Sequence, residues 1–517
     1  MLVKIHTAAV QGLEAIPVTA EVNASPGFLF CLVGLPDNAV KESHQRIVAA
    51  INNSGYRFPR HNFTVNLTPA DLKKEGSAYD LPIAIGIMAT DAKIVAPERL
   101  ERFLMAGELS LDGSLLPIRG ALSIAIMARE RGYEGLIVPQ QNVREAAVVN
   151  RLKVYGARNM QEVLDVLNET DTAIAPTEIN TREEFHRQQN DYELDFADVR
   201  GQASVKRALE VAAAGGHNLI MIGPPGSGKS MMAKRLPTIL PPLSLGESLE
   251  TTRIHSVAGK LHRDTSLIAV RPFRSPHHTI SQVALVGGGI NPQPGEISLA
   301  HNGVLFLDEL PEFSRTVLEV LRQPLEDRTI HISRAKYAVT YPASFMFVAS
   351  MNPCPCGYYG DPTHRCTCTP GRIQQYMSKI SGPLLDRIDI QCEISPLPFA
   401  DISRAQPGEA SEAIRNRVVS ARRIQEERYR NHRGVHCNAQ MSERLIQQYA
   451  SPDDSGLAML RTAMERLSLS ARAYSRILKV ARTIADLEAS DRVLNHHLAE
   501  AIGYRNLDRG DWAERGG

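Results

Sequence analysis

Hydrophobic and polar positions follow strand-like and helix-like periods in the first third of the chain. Apolar and polar residues alternate in residues 18–22 and 62–67, as they do in half-buried strands. Residues 37–51 place apolar side chains at helical spacing, and the first residue of this stretch, an aspartate, is a suitable N-cap. Residues 80–89 are almost wholly apolar, which predicts a buried helix. The pattern predicts a compact α/β domain over residues 1–168.

A second pattern follows a polar stretch at residues 169–190, which we interpret as an interdomain linker. Residues 218–222 form a short apolar run, and helical spacing resumes at residue 231. Between them lies a glycine-rich loop with the spacing G-x-x-x-x-G-K-[ST]. Its residues are Gly223, Pro224, Pro225, Gly226, Ser227, Gly228, Lys229 and Ser230. A strand, this loop and a helix in that order predict a P-loop.

The chemistry of a P-loop explains these residue types. Glycines let backbone N–H groups surround phosphate oxygens without Cβ clashes, and the helix N-terminus adds a favourable dipole. We expect Lys229 to reach the β- and γ-phosphates of ATP and Ser230 to bind Mg²⁺. A second buried-strand pattern, residues 303–309, ends in Asp308 and Glu309. Asp308 suits the Mg²⁺ coordination sphere, and Glu309 suits a base that polarises the attacking water.

The length of 517 residues allows three domains of about 150 residues each. Its hydrophobic fraction of 43% and charged fraction of 22% are typical of a globular protein. The net charge of +1 gives no global electrostatic reason to bind nucleic acid, so any basic surface must be local. The sequence shows no run of about 18 apolar residues and no signal-peptide pattern. We therefore expect a cytoplasmic protein with no membrane partner.

Four of the seven cysteines cluster at Cys354, Cys356, Cys366 and Cys368. In a cytoplasmic chain such cysteines are better explained as thiols or metal ligands than as disulfides. Two close thiolate pairs joined by a turn-rich loop can surround one tetrahedral Zn²⁺. Such a zinc would be structural, because four protein ligands leave no open position. His364 could replace one cysteine, and a pair of reduced C-x-C turns without metal is the alternative.

The rest of the chain divides into a strand-rich and a helical part. Residues 191–398 contain both phosphate motifs, and they are expected to form the ATPase core. Within them, alternating positions on both sides of a basic tip predict a β-hairpin over residues 329–341. Arg334 and Lys336 lie at this tip. Residues 399–517 place apolar positions at helical spacing, which predicts an all-α segment.

Stretches in both halves of the chain match the motifs of a known family. They are residues 33–37, 66–71, 74–82, 107–118 and 271–300. Through them the chain resembles the ComM/YifB family of magnesium-chelatase-like AAA+ ATPases, and the resemblance covers nearly the whole chain. It implies a P-loop AAA+ core with a helical lid. It also implies a preceding Lon-protease-like α/β domain of the ribosomal S5 domain 2-like type.

The likeness to Lon does not extend to peptidase chemistry. A Lon-type site needs a serine nucleophile activated by a lysine. By the resemblance, the serine would fall at or next to Asp80 and the lysine near Leu122, so neither required residue is present. Ser77 and Lys74 could be proposed as a catalytic dyad, but a glycine-containing turn explains the presence of these residue types in the segment. We expect this domain to be an interaction, assembly or DNA-contacting scaffold.

The resemblance implies further roles in the ATPase core. Val199 and Gln202 would lie beside the adenine base, although a simple lead-in to the next helix is an equal alternative. Asn352, at the end of a buried strand, would help to orient the hydrolytic water. In the related helicase branch a hairpin lines the ring pore and grips DNA phosphates. Arg334 and Lys336 are the candidates for that grip here, and a solvated hairpin turn is the alternative.

Two arginine roles also follow from the resemblance. Arg387 would be an arginine finger that reaches the γ-phosphate bound by a neighbouring subunit, which requires a ring. An intrachain salt bridge to Asp386 or Asp389 is the alternative for this residue. Arg472 matches the second sensor, which couples the nucleotide state to the position of the lid. Arg476, one turn later, is its substitute.

The motifs predict a Mg²⁺-dependent ATPase, and the resemblance implies that it forms a ring, expected to be a hexamer. Proteins resembling ComM are associated with ATP-driven DNA translocation and branch migration during recombination of incoming DNA in natural transformation. A DNA translocase or helicase is the leading hypothesis. The alternatives are a magnesium-chelatase-like metal-insertion motor and a protein-remodelling ATPase. The chain has no acidic low-complexity linker for the first alternative and no evident aromatic-apolar-glycine pore loop for the second.

Overall fold

The chain divides into two compact units. The computed structural model describes residues 1–189, 192–262, 265–289, 292–334, 337–361, 364–395, 408–467 and 469–505, without the side chains of residues 334 and 337. The first unit comprises Met1–Gln189 and Ser244–Ala269, and the second comprises Asn190–Leu243 and Val270–Gly517. Residues 244–269 thus pack with the first unit, although the sequence pattern places them inside the continuous stretch 191–398.

The first unit has nine strands among its described residues, and seven of them form one mixed sheet. Its strands are β1 (Leu2–Gln11), β2 (Glu14–Pro26), β3 (Phe30–Val33), β4 (His61–Thr68), β5 (Phe103–Met105), β6 (Glu108–Leu109), β7 (Leu115–Leu116), β8 (Gly135–Pro139) and β9 (Lys153–Ala157). The order is β3-β4-β2-β1-β5-β8-β9, and β6 and β7 form a separate antiparallel pair. Strand β4 buries Phe63, Val65 and Leu67 on one face, so the alternation in the sequence correctly predicts it.

The second unit has nine strands among its described residues, and five of them form one parallel sheet. Its strands are β10 (Leu219–Ile222), β11 (Phe273–Arg274), β12 (Gly287–Gly288), β13 (Gln293–Pro294), β14 (Val304–Leu307), β15 (Thr329–Arg334), β16 (Tyr337–Pro342), β17 (Met346–Met351) and β18 (Ile390–Glu393). The parallel sheet has the order β11-β14-β17-β10-β18. Its central strands are unbroken buried runs, as expected for a parallel sheet covered on both faces. The pairs β12–β13 and β15–β16 are antiparallel hairpins.

Both units also contain helices. They are α1 (Asn38–Lys41), α2 (Ser43–Asn53), α3 (Asp80–Met88), α4 (Pro97–Leu100), α5 (Ala121–Glu130), α6 (Val143–Ala147), α7 (Met160–Asn168), α8 (Thr181–Gln188), α9 (Ala203–Gly215), α10 (Lys229–Ile239), α11 (Leu245–Val257), α12 (Gln282–Val286), α13 (Glu296–Leu299), α14 (Arg315–Val320), α15 (Arg322–Asp327), α16 (Pro370–Met377), α17 (Gly382–Leu385), α18 (Ser411–Tyr429), α19 (Glu443–Tyr449), α20 (Asp454–Leu467), α21 (Ala471–Leu487) and α22 (Asn495–Gly503). Throughout the described ranges, no helix has the length and apolar character needed to cross a membrane.

Local sequence signals account for several of these elements. Every residue of α3 is buried, which explains its unbroken apolar composition. Asp37 accepts a hydrogen bond from the Val40 N–H and caps α1, as predicted, but the single helix expected over residues 37–51 is divided between α1 and α2. The predicted linker contains α8, which buries Phe185 and which a search for apolar periodicity does not detect.

Candidate nucleotide-binding and metal sites

The glycine-rich loop joins the end of β10 to the start of α10. Gly226 and Gly228 have φ angles of 78° and 87°, in the left-handed region that favours glycine. Gly228 is the N-cap of α10, so the helix begins at Lys229. The first backbone N–H groups of a helix have no partner within the helix, and they form a site for an anion. This local geometry is that of a phosphate-binding loop.

The side chain of Lys229 folds back over this loop. Its Nζ donates hydrogen bonds to the carbonyl oxygens of Gly223 (2.7 Å) and Pro224 (2.8 Å). A third hydrogen bond, of 3.2 Å, runs to Oδ1 of Asn352, which follows β17. Burial lowers the pKa of Lys229, while the carboxylates of Asp308 and Glu309 oppose that shift. A phosphate oxygen could replace these neutral acceptors and would favour the charged form of the lysine.

Ser230 and Asp308 meet at the carboxyl edge of the sheet. The hydroxyl of Ser230 donates to Oδ2 of Asp308 at 2.6 Å. Strands β14 and β17 are neighbours in register, and this places the Ser350 hydroxyl where it donates to Oδ1 of Asp308. Carboxylate and hydroxyl oxygens are the hard donors that suit Mg²⁺, so these residues fit the ion. No sequence motif indicates Ser350, since only the strand order brings it to Asp308.

Glu309 has an unusual backbone conformation beside this site. Its φ of 53° and ψ of 51° lie in the left-handed region, at the start of a short 3₁₀ turn, Leu310–Glu312. Such a conformation is uncommon outside glycine and is found at functional sites. Its N–H donates to Oδ1 of Asp308 at 3.1 Å, and its side chain is 57% exposed. The carboxylate can therefore rotate while its backbone is held.

Val199 and Gln202 lie ahead of α9 rather than in the loop itself. Val199 is buried and follows a 3₁₀ turn, while Gln202 is the N-cap of α9. The Gln202 amide donates to the carbonyl of Ser395 at 2.8 Å. The preceding residue, Ile394, donates its N–H to the Ile222 carbonyl at the end of β10. Gln202 thus lies beside the segment that pairs with the end of β10, just before the glycine-rich loop. Its contact with adenine stays a prediction.

The two candidate arginines have different partners from those expected. Arg387 is almost fully buried, and its guanidinium bonds to the Glu326 carboxylate and to the Pro383 carbonyl (2.5 Å). The intrachain salt bridge that was the alternative for Arg387 is therefore present, but its carboxylate is that of Glu326 and not of Asp386 or Asp389. Arg472, at the start of α21, instead donates to Asp386 at 2.8 Å. The finger role of Arg387 and the sensor role of Arg472 stay predictions.

Arg476 belongs to a buried polar network. It donates to Oδ1 of Asp389 at 2.9 Å, while Nδ1 of His217 lies 3.2 Å from Oδ2 of the same carboxylate. The other ring nitrogen of His217 lies 2.8 Å from the Thr483 hydroxyl in α21. Burial alone would raise the pKa of Asp389, but Arg476 and His217 hold it well below its ordinary value. This network joins α21 to the segment before β10.

The four clustered cysteines form a compact set of sulfur atoms after β17. The Sγ atom of Cys354 lies 3.3 Å from that of Cys356 and 3.7 Å from that of Cys366, while Cys356 and Cys366 are 3.6 Å apart. The four sulfur atoms, which include Sγ of Cys368, all lie within 4.8 Å of one another. A tetrahedron with Zn–S bonds of ~2.3 Å has S–S edges of about 3.8 Å, so the set fits zinc.

The local electrostatics differ among the four thiols, since burial raises the pKa of Cys366 and Cys368 and only Cys356 has a lowered value. Burial opposes ionisation, but the backbone N–H groups of Tyr358 and Thr367 lower the pKa of the Cys356 thiol to about 6. A thiolate is the form that binds zinc. His364 is 63% exposed and stacks on Tyr358, so the four cysteines are favoured over His364 as ligands.

The predicted hairpin is present in the second unit. Strands β15 and β16 pair from Thr329–Pro342 to Arg334–Tyr337. Lys336 and the side chain of Arg334 lie outside the described residues, so their DNA contacts stay predictions. The neighbouring β12–β13 hairpin lies against it, because Oη of Tyr341 donates to the Pro292 carbonyl at 2.8 Å.

The Lon-like positions of the first unit carry other interactions. Asp80 is buried at the start of α3 and bonds to Arg46 at 2.7 Å. Ser77 donates to Glu108, and Lys74 donates to a backbone carbonyl. Ser77 and Lys74 therefore have separate partners and form no dyad with each other in this arrangement.

The parallel sheet, the glycine-rich loop and the carboxylate at the end of β14 define a P-loop nucleotide-binding fold. The comparison with known families identifies it as an AAA+ protein related to magnesium chelatase. Three family descriptions match in chain order. "Subunit ChlI of Mg-chelatase" matches residues 20–142, "Magnesium chelatase, subunit ChlI" residues 195–402, and "Magnesium chelatase, subunit ChlI C-terminal" residues 408–505.

Relatives that match over nearly the whole chain narrow the family assignment. Protein YifB of Salmonella typhimurium is 44% identical over 510 residues, which cover 98% of this chain and 97% of that protein. Competence protein ComM of Haemophilus influenzae has the same identity and coverage. The chain belongs to the ComM/YifB family of magnesium-chelatase-like ATPases. Lon protease 2 of Bacillus subtilis is 30% identical over 161 residues, 28% of this chain and 27% of that protein.

Proposed function

We propose that the protein is a Mg²⁺-dependent ATP hydrolase. The observation that carries this proposal is the meeting of Ser230, Asp308 and Lys229 at one loop. Bound Mg²⁺ would supply charge neutralisation between the phosphates. Lys229 would hold the β- and γ-phosphates, with Ser230 and Asp308 as the Mg²⁺ ligands. Glu309 would take the proton of the attacking water, and Asn352 would orient that water.

We further propose that the work done by hydrolysis is translocation on DNA. β15 and β16 pair as a hairpin, and the sequence that joins them is basic, which suits a grip on phosphates. The Haemophilus influenzae relative is named a competence protein, which connects the family with DNA. In this proposal the chain forms a ring, expected to be a hexamer, and promotes branch migration in recombination or natural transformation. Arg387 would complete each ATP site from the adjacent subunit, and Arg472 would act as the lid sensor.

A metal-insertion motor is the second candidate. It is favoured by the matching family descriptions, which name a magnesium chelatase subunit. Such a motor would turn over ATP in response to partner proteins, not to nucleic acid. A protein-remodelling ATPase would likewise be insensitive to DNA. DNA stimulation therefore separates the leading proposal from both alternatives.

The first test is the steady-state ATPase rate of the full chain without polymer and with single-stranded, forked and four-way-junction DNA. We expect stimulation by DNA that is greatest for branched forms. Lys229→Ala is the blank, because it removes the phosphate-binding ammonium and should lower kcat by about 100-fold or more. A real basal rate that no DNA form changes would contradict the translocase proposal and favour the alternatives.

A further inference from the structure

We propose that the first unit binds a small zwitterionic ligand, with a protonated amine at one end and an anionic group at the other. The amine would bind the buried carboxylate of Glu145, and the anionic group would bind the guanidinium of Arg119. The site shares no residue with the glycine-rich loop. The proposal is therefore independent of ATP hydrolysis and of DNA.

The site is a cavity of about 250 Å³, which we call the Glu145 cavity. Its walls come from residues 117–145 and from the segment 244–269 that packs with the first unit. Sites for drug-sized ligands measure roughly 300–1,000 Å³, so this cavity suits a smaller, metabolite-sized molecule. The polar side chains that line it include those of Arg119, Gln141, Asn142, Glu145, Ser256 and His262.

Contacts that need no ligand hold the walls of the cavity in place. Oδ1 of Asn142 accepts a hydrogen bond from the Ile118 N–H at 2.9 Å, and Nδ2 of Asn142 donates to the Ile118 carbonyl at 2.8 Å. The Gly120 N–H donates to the carbonyl of Ser256, at the end of α11, at 3.2 Å. The cavity is therefore formed in advance, and a ligand that enters it has little protein to order.

Three oxygen atoms of the cavity lack a hydrogen-bond partner in the described part of the chain. They are Oε2 of Glu145, Oε1 of Gln141 and Oγ of Ser256, and all three atoms are buried. Buried polar atoms in proteins are nearly always hydrogen-bonded, so such a group indicates that something else fills the space. Carboxylate and amide oxygens accept, and a hydroxyl can accept as well. The end of the ligand that reaches these atoms must therefore be a hydrogen-bond donor.

The charge of Glu145 makes a cationic donor the best fit. Glu145 is only 6% exposed, and its Oε1 accepts from Nδ2 of Asn142 at 2.6 Å. Burial raises the pKa of Glu145, although Ser256, Asn142 and the Leu122 N–H oppose this shift. Glu145 forms no ion pair with any residue that the structure describes. A buried carboxylate is stabilised by a cation, and a protonated amine offers both the charge and three donors.

Arg119 indicates that the other end of the ligand is anionic. It is exposed, and it has no hydrogen bond or ion pair within the described ranges. Gly259 has a φ of 64°, and a Cβ atom built there would lie 3.0 Å from Nε of Arg119. Arg119 thus lies directly over this glycine, on the wall of the cavity. A guanidinium repels a purely cationic ligand, whereas it binds a carboxylate or phosphate through two parallel hydrogen bonds.

A cavity that holds only water is the alternative. In that case Glu145 would be protonated and would donate to Gln141 or Ser256, and water would satisfy the remaining atoms. Such a site has no charge with which to attract an amine. The two cases therefore differ in whether a zwitterion binds.

The test measures the thermal-unfolding temperature of the full chain with a series of probes. The probes are the ω-amino acids from glycine to aminohexanoate, in which one to five methylenes separate the amine from the carboxylate. Pentylamine and pentanoate carry one end each. We expect at least one ω-amino acid to raise the unfolding temperature by about 5 °C at about 100 times its Kd. Neither single-ended probe should match it.

Three variants identify the residues that bind the probe. Glu145→Gln keeps the shape of the side chain and its contact with Asn142, but it removes the charge and should abolish the shift. Arg119→Met changes an exposed residue and should weaken binding about tenfold in a calorimetric titration. Glu162→Gln is the matched control. This carboxylate lies in the first turn of α7 and accepts from the Arg158 N–H at 2.7 Å, so the variant should keep the full shift.

Each result supports or overturns the inference without reference to ATPase activity. If no ω-amino acid shifts the wild-type temperature, the cavity holds only water and the inference is wrong. An equal shift in Glu145→Gln would place the probe elsewhere. An equal shift from pentylamine, or unchanged affinity in Arg119→Met, would contradict a zwitterionic ligand. Because Arg119 is exposed, its variant keeps the test valid even where Glu145→Gln fails to fold.

Discussion

At the scale of single residues, the first unit shows how a catalytic position can become a structural one. Asp80 lies where a Lon-type nucleophile would fall, but its carboxylate is buried and accepts hydrogen bonds of 2.7 and 3.0 Å from Arg46. The Leu109 N–H contributes a weaker contact at 3.4 Å. Burial raises the pKa of Asp80 to about 6, although Arg46 opposes this shift. The pair makes the local stability dependent on pH.

We expect Arg46→Met to destabilise the protein more at pH 8 than at pH 5. Without Arg46 the folded-state pKa of Asp80 rises further above about 6, while an unfolded aspartate titrates near ~3.9. The proton is therefore retained by the folded state over a wider range, and stability is lost as pH rises through that range. The loss should reach about 3 kcal/mol or more at pH 8.

Urea-unfolding midpoints, followed by circular dichroism at both pH values, measure this effect. Arg131→Met is the control, since Arg131 is exposed and its removal should have little effect. An equal loss at pH 5 and pH 8 would show that ionisation of Asp80 does not set the cost.

At the scale of elements, the cysteine set is a small module between β17 and α16. This segment carries little secondary structure among its described residues, so its conformation depends on side-chain contacts. Its first residues follow Asn352, and Gly357 lies against Pro225 of the phosphate-binding loop. A metal that fixes four sulfur atoms would therefore also fix the chain beside the nucleotide site.

We expect the purified protein to contain about one zinc per chain. Cys356→Ser combined with Cys368→Ser should abolish this zinc, because two thiolates of the tetrahedron are removed. The measurement is metal analysis by mass spectrometry after removal of loosely bound ions. Cys31→Ser is the matched control, as this exposed cysteine lies on β3, and it should retain the metal. A wild-type protein with no zinc would refute the site.

At the scale of the whole molecule, Arg387 raises the question of assembly. Within one chain its two terminal nitrogens donate to Glu326 and the Pro383 carbonyl, while its buried Nε has no hydrogen-bond partner among the described residues. Glu326 is 60% exposed, so a neighbouring subunit's phosphate could compete for the arginine. If Arg387 acts in a ring, it should serve a neighbour's ATP and not that of its own chain.

Mixing two inactive variants tests this role. Arg387→Ala keeps its own phosphate-binding loop, whereas Lys229→Ala keeps its own arginine. Each alone should lose nearly all ATPase activity. An equal mixture should recover about a quarter of the wild-type rate, because one site in four would join a complete loop to a neighbour's Arg387. A mixture with no more activity than its components would contradict action between subunits.

Much of the candidate site could be predicted from the sequence. Two of its parts are contiguous motifs, namely the P-loop from Gly223 to Ser230 and the strand ending at Asp308. Their local chemistry does not depend on residues from distant parts of the sequence. The same holds for the four cysteines, which fall within one short segment. The sequence analysis missed helix α8, and the cause is local. This helix buries a single aromatic side chain and shows no apolar period.

The sequence by itself therefore determined which residues can hold phosphate and metal, because close spacing along the chain places their donors together. The tertiary structure alone decided which side chains from distant parts of the sequence contact these residues. Ser350 reaches Asp308 because β17 lies beside β14. Arg387 meets Glu326 in place of the aspartates next to it in the sequence. Strand order and side-chain direction set these contacts, and neither is encoded in spacing along one segment.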